Sequence, residues 1–233
     1  SEKASAALIF KNLITYAKKE NMVVAFLKAA KESCLEELKL PEDARIFESK
    51  AEGIGQLAAF LCANAQHRYN LYTQYCEEKQ WDPETAIAKQ ETFSHMRGMF
   101  RPILVIFERY SDLVSVTTEV AGYLKQFSSV YVLSRYAQIY LMAGLYSDEP
   151  PFLWGNELYK CFNTEKLALL FGEKLNRQSL VKLPYDMERL LVKKPANHCL
   201  MSYRGELHHL LMPCGELRQE KVKTDDDSIF EDS

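Results

Sequence analysis

The chain has 233 residues, of which 47% are apolar and 26% charged, with a formal net charge of −3. That balance is ordinary for a folded globular protein. It argues against a general nucleic-acid binder, which needs a clustered basic surface to displace counterions from phosphate; the only adjacent basic pairs, Lys18-Lys19 and Lys193-Lys194, stand far apart.

In chain order, residues 4–18 predict a helix, because Ile9, Leu13 and Tyr16 recur at three- and four-residue steps. Lys18-Lys19-Glu20 forms a polar break and Asn21 is a candidate N-cap. Residues 22–38 then predict a second helix with Val23, Phe26, Leu27, Ala30, Cys34, Leu35 and Leu38 on its buried face. The short connection makes the two antiparallel neighbours. Pro41-Glu42-Asp43 reads as a helix start, and the pattern after it runs to Lys79 with a bend or break near Gly53. Gly53-Ile54-Gly55 is not read as a phosphate loop, since no strand is expected before it and the glycine fingerprints are incomplete. Asp82 caps, and Pro83 opens, a more polar helix over 83–97.

Residues 101–127, RPILVIFERYSDLVSVTTEVAGYLKQF, predict two short helices with a turn at Ser111-Asp112, where Asp112 can cap the second by accepting from its free backbone N–H groups. Ile103, Phe107 and Tyr110 share one face of the first, and Leu113, Val116, Val120 and Leu124 one face of the second. The longest uninterrupted apolar block near the centre of the chain, Ile103 to Phe107, lies inside the first. The order of Pro102, Leu104, Asp112, Val116, Val120 and Leu124 resembles one HEAT repeat, with Thr117 where that repeat usually carries a basic residue. The resemblance implies an α-solenoid of the kind that serves transport receptors, coat and trafficking complexes and assembly scaffolds.

A further helix is expected over 128–146, and the Ser-Asp-Glu-Pro-Pro breaker at 147–151 separates it from shorter helices at 152–161, 163–175 and 183–193. Residues 197–212 show no clean period; 181–183 and 200–203 are candidate short strands. The division expected is 1–146, 152–215 and an acidic tail, 216–233.

Potential metal ligands are densest at His198, Cys199, His208, His209 and Cys214. Zinc needs four converging ligands, and two adjacent pairs plus one cysteine do not supply them readily, so no metal is expected. Glu206-x-x-His209 is a single step where a di-iron bundle needs two. No Gly-x-Ser-x-Gly nucleophile elbow occurs, so no catalytic residue is expected, and no cofactor. Six dispersed cysteines, no Cys-x-x-Cys and no glycosylation sequon favour a reducing, cytoplasmic setting. No run of 18 apolar residues is present, so no membrane insertion is expected. The chain begins at Ser1 rather than Met, which suits a processed protein or a fragment of a longer one.

The tail is the remaining candidate site. Ile229 and Phe230 stand between Asp225, Asp226 and Asp227 on one side and Glu231 on the other, a pattern suited to docking on a partner or back on the chain itself. Thr224 and Ser228 each have an acidic residue three positions on and are candidate phosphorylation sites, where phosphate would add about −1.5 to −2 charge. Together these readings predict an all-α stack of antiparallel helical hairpins acting as a non-catalytic scaffold or adaptor for other protein subunits. The rival readings are a metal- or ligand-binding protein or enzyme using 198–214, and a helical nucleic-acid-binding protein.

Overall fold

The computed structural model describes residues 2–119, 122–146, 168–170, 198–203 and 206–212. Its centre is a parallel sheet, which overturns the all-α expectation and with it the α-solenoid. The strands are β1 (Val23–Lys28), β2 (Arg45–Glu48), β3 (Ile103–Phe107) and β4 (Ile139–Ala143), in the spatial order β2-β1-β3-β4. Every neighbouring pair is parallel, with Val23 opposite Ile103 and Ile103 opposite Ile139.

The physical reason lies in burial on both faces. A central parallel strand is covered by helices above and below, so its sequence is a continuous apolar run rather than an alternation. Such a run matches a buried helix as well as a strand. In β3 all five residues are buried, and in β1 the four inner ones are. The expected helix 22–38 is therefore β1, a loop and a short 3-10 turn, Leu35–Glu37. The first half of the HEAT-like stretch is β3, and its second half is helical.

The helices are α1 (Glu2–Lys19), α2 (Ala51–Glu78), α3 (Pro83–Ala86), α4 (Gln90–Met99), α5 (Tyr110–Glu119) and α6 (Gly122–Ala137). Successive strand residues face opposite ways. Val24, Phe26, Leu104 and Ile106 meet Ala6, Phe10, Ile14 and Ala17 of α1. Ala25, Leu27, Ile103, Val105 and Phe107 meet Ile54, Leu57 and Leu61 of α2, Leu113 of α5 and Phe127 and Val130 of α6. A third cluster, Tyr72, Cys76, Ala86, Met96 and Tyr136, ties α2 to α3, α4 and α6.

Some expected elements keep their type. The helix expected at 4–18 is α1, and Asp82 accepts from the Thr85 backbone N–H at 3.2 Å, ahead of Pro83. Others change. Residues 45–48 form β2, so a strand does precede Gly53, and α2 begins at Ala51 and runs unbroken through both glycines. The expected helix 128–146 is the end of α6 followed by β4. Arg68, buried in α2, donates from Nη1 to the Ala137 carbonyl at 3.0 Å and so caps the C-terminus of α6, where the helix dipole favours a cation.

A second, antiparallel sheet joins β5 (Ala168–Leu170), β6 (His198–Tyr203) and β7 (Glu206–Leu211) in that order. The candidate strand at 200–203 lies within β6. The one at 181–183, the breaker at 147–151 and the helices expected at 152–161 and 183–193 lie outside the described residues.

Candidate functional site

In an open α/β sheet, ligands bind beyond the carboxyl ends of the strands where the strand order reverses. Here the chain moves from β1 outward to β2 on one side and from β3 outward to β4 on the other. The switch point is thus between β1 and β3, bounded by the loop after β1 (Ala29-Ala30-Lys31-Glu32-Ser33-Cys34) and by Glu108, the first residue after β3.

This loop turns its backbone N–H groups inward, helped by a left-handed Glu32 at φ 53°. Converging N–H groups in such a turn form a concavity suited to an anion. The anion in place is a side chain of the same protein. Glu108 Oε2 accepts from Ala29 N at 2.7 Å and from Ser33 Oγ at 2.6 Å, and Oε1 accepts from Cys34 N at 2.6 Å. Beside it, Asp112 Oδ2 accepts from Ala30 N at 2.7 Å. Glu108 is 1% exposed. Hydrogen bonds from backbone N–H to an ionised oxygen are short and strong, which lets a carboxylate be held at this depth by N–H groups and a hydroxyl.

The backbone fixes Glu108 on both sides. Its N–H donates to the Leu27 carbonyl at 3.1 Å, and Gly144 N after β4 donates to Phe107 O at 2.9 Å. A Cβ on Gly144 would lie 2.3 Å from the Glu108 carbonyl oxygen, so only glycine fits there. Asp112, expected to cap a helix start, instead sits in the first turn of α5 and reaches across to the β1 loop.

Cys34 shares this environment. Burial first, then the hydrogen bond and charge of Glu108, push its thiol from the ordinary 9.0 up to about 12. A raised acid pKa means the folded state holds its proton more tightly than the unfolded chain. Its contribution to stability therefore falls as pH rises from 9 toward 12. At pH 8 the expected result is no alkylation of Cys34 by iodoacetamide in the folded protein and full alkylation in denaturant, read by peptide mass spectrometry. Alkylation in the folded state at the rate of a free thiol would show that the loop opens readily.

The sequence-expected metal ligands are not brought together. His208 and His209 are consecutive in β7 and so point to opposite faces. His208 is exposed and lies 3.4 Å from Glu206, whereas Cys199 is fully buried, its thiol pushed up to about 11 by burial. His198 is the first residue of β6. Among the described residues no group of three or more His, Cys, Asp or Glu is placed to hold a metal ion. Cys214, Thr224, Asp225, Asp226, Asp227, Ser228, Ile229 and Phe230 lie outside the described residues. The helix expected over 101–110 hides the role of Glu108 in the sequence. The signal was present as two short apolar runs, VVAFL and ILVIF, the second ending in an acid.

The sheet and its switch point define a doubly wound α/β domain in which the space at the switch point is filled by the protein's own carboxylate. A solved structure, "The cytoplasmic domain of EssC", has a similar fold, with a TM-score of 0.63 over 91% of this chain at 14% identity. The match spans 38% of that chain's length. No protein-family model matches the sequence, and no curated protein matches it significantly.

Proposed function

We propose that this chain is a non-catalytic module of a larger cytoplasmic assembly, binding other protein subunits through its surface. The observation that carries this is the seating of Glu108 on Ala29 N, Ser33 Oγ and Cys34 N. In doubly wound domains that position receives the phosphates of a nucleotide. A buried carboxylate there both fills the space and repels a second anion. The loop also lacks the glycines of a phosphate loop, and its one lysine, Lys31, is followed by Glu32 rather than by the Ser or Thr of that pattern.

Two further observations agree. Among the described residues no helix is long and apolar enough to cross a membrane. The structurally similar protein is, by its title, a cytoplasmic domain, and this chain matches a minor part of its length, as a module of a larger protein would.

Isothermal titration with magnesium-ATP and with NAD, each to 1 mM, tests the negative half. The expected result is no saturable heat; saturable binding tighter than about 100 μM, worth roughly 5.5 kcal/mol, would overturn it. Affinity purification with mass-spectrometric identification tests the positive half. A partner recovered in near-stoichiometric amount is expected, and hydrolytic turnover by the isolated chain would sink the proposal.

A further inference from the structure

The face of the sheet that α1 covers is not covered evenly. α1 lies over β1 and β3, through Phe10 and Ile14 against Phe26, Leu104 and Ile106. Tyr140 of β4, paired in register with Leu104, is left 46% exposed. Beside it, Tyr16, Met22, Phe93, Arg97, Pro102 and Leu104 complete a groove of about 190 Å³. Tyr16 is 54% and Phe93 38% exposed, so two further rings stand open at its mouth. This is an apolar slot of side-chain size with aromatic walls.

Its rim is basic. Lys19 follows Tyr16 by one helical turn on the same face and makes no ion pair among the described residues. Lys18 is exposed next to it. Arg97 pairs with Glu20 and lies 5.8 Å from the centre of the Phe93 ring. An occupant matched to this groove has a large apolar side chain flanked by carboxylates. The chain carries such a segment, Asp-Asp-Asp-Ser-Ile-Phe-Glu at 225–231, which the function proposed above does not use.

We infer that this groove is the docking site of residues 225–231 of the same chain, with Phe230 or Ile229 between Tyr16, Phe93 and Tyr140 and the carboxylates toward Lys19. Reach does not oppose it. Phe230 lies 19 residues after Leu211, the end of β7, and that length extends to about 65 Å at most. A globular chain of this size has a radius of gyration of about 17 Å. Tethering helps further, because two segments of one chain can meet at an effective concentration in the millimolar range, enough to populate a weak site.

The test uses the full chain with p-benzoylphenylalanine in place of Phe230 and maps photo-cross-links by mass spectrometry. Cross-links within one chain to the peptides holding Tyr16, Phe93 or Tyr140 are expected. Lys19→Glu and Phe93→Ser, both at exposed side chains, should each lower the yield at least about five-fold, as should raising the salt for the charged part. The wild-type map decides even if a variant folds poorly. Cross-links elsewhere, none at all, or a yield unmoved by both substitutions would overturn the inference. Groove cross-links found only between two chains would assign the slot to a second copy's tail and overturn it equally.

Discussion

Glu108→Ala lowers the thermal midpoint by about 10 °C or more. The substitution strips the acceptor from Ala29 N, Ser33 Oγ and Cys34 N at once, in a site 1% exposed. A buried donor left without a partner costs about 1–3 kcal/mol. Two backbone N–H groups and a hydroxyl together give about 3–5 kcal/mol, after allowance for water entering the space and for the desolvation cost the carboxylate no longer bears. For a chain of this length each kcal/mol moves the midpoint by about 2–4 °C. Glu108→Gln keeps one acceptor oxygen but turns an amide N–H₂ toward the remaining donors, so it should fall between alanine and wild type. Asp112→Asn is the matched control. Its bond to Ala30 N is exposed to solvent, and its loss should cost less than about 1 kcal/mol. Denaturation followed by circular dichroism checks all three. A Glu108→Ala midpoint within 3 °C of wild type would mean that the loop after β1 is not held by this carboxylate.

Gly53→Ala lowers stability by about 2 kcal/mol, against the sign that helix propensity alone predicts. In α2 an alanine should gain about 1 kcal/mol over glycine. At this position, however, a Cβ would lie 2.3 Å from the Glu48 carbonyl oxygen and 2.9 Å from the Glu48 nitrogen. Those are backbone atoms at the end of β2 and cannot swing aside. Overpacking of this kind costs about 1–3 kcal/mol and sometimes more, so the clash outweighs the propensity. Gly98→Ala in α4 separates the two effects, because a Cβ there meets nothing within 4 Å. It should raise stability by about 0.5–1 kcal/mol. If Gly53→Ala and Gly98→Ala move the midpoint in the same direction, the close approach of α2 to β2 is wrong.

Gly53 also shows where the sequence was ambiguous. Read alone, Gly53-Ile54-Gly55 looked like a helix interruption. In the fold, Gly53 makes room for strand β2 and Gly55 for Tyr123 of α6, where a Cβ would lie within 3 Å of the ring hydroxyl. Both glycines answer to tertiary neighbours, which a local pattern does not carry. The same limit governed the strands. α1 was legible because one of its faces is solvent-exposed, so Ile14 and Ala17 stand out against Lys18 and Lys19. β3 has no exposed face, so Ile103 to Phe107 gave no period to separate helix from strand. Length and β-branching were the better guide, since five residues rich in Ile and Val suit a strand more than half a hairpin. Of the candidate site, Asp112 was singled out for the right chemistry, accepting from free backbone N–H groups, but against the wrong element. Glu108 could be found only once β1 and β3 were placed side by side.

That adjacency has a bearing on how the chain is made. Val23 pairs with Ile103, so β1 emerges from the ribosome long before the strand that will flank it on its inner side. At about 5–20 residues per second the wait is roughly 4–16 s. Through that interval an almost wholly apolar strand, Val-Val-Ala-Phe-Leu, has α1, the short edge strand β2 and α2 to shield it, while its inner edge stays unpaired. Closing so long a loop is also entropically slow. The newborn protein should therefore lean on chaperones during synthesis and refold from denaturant more slowly than a helical protein of its size.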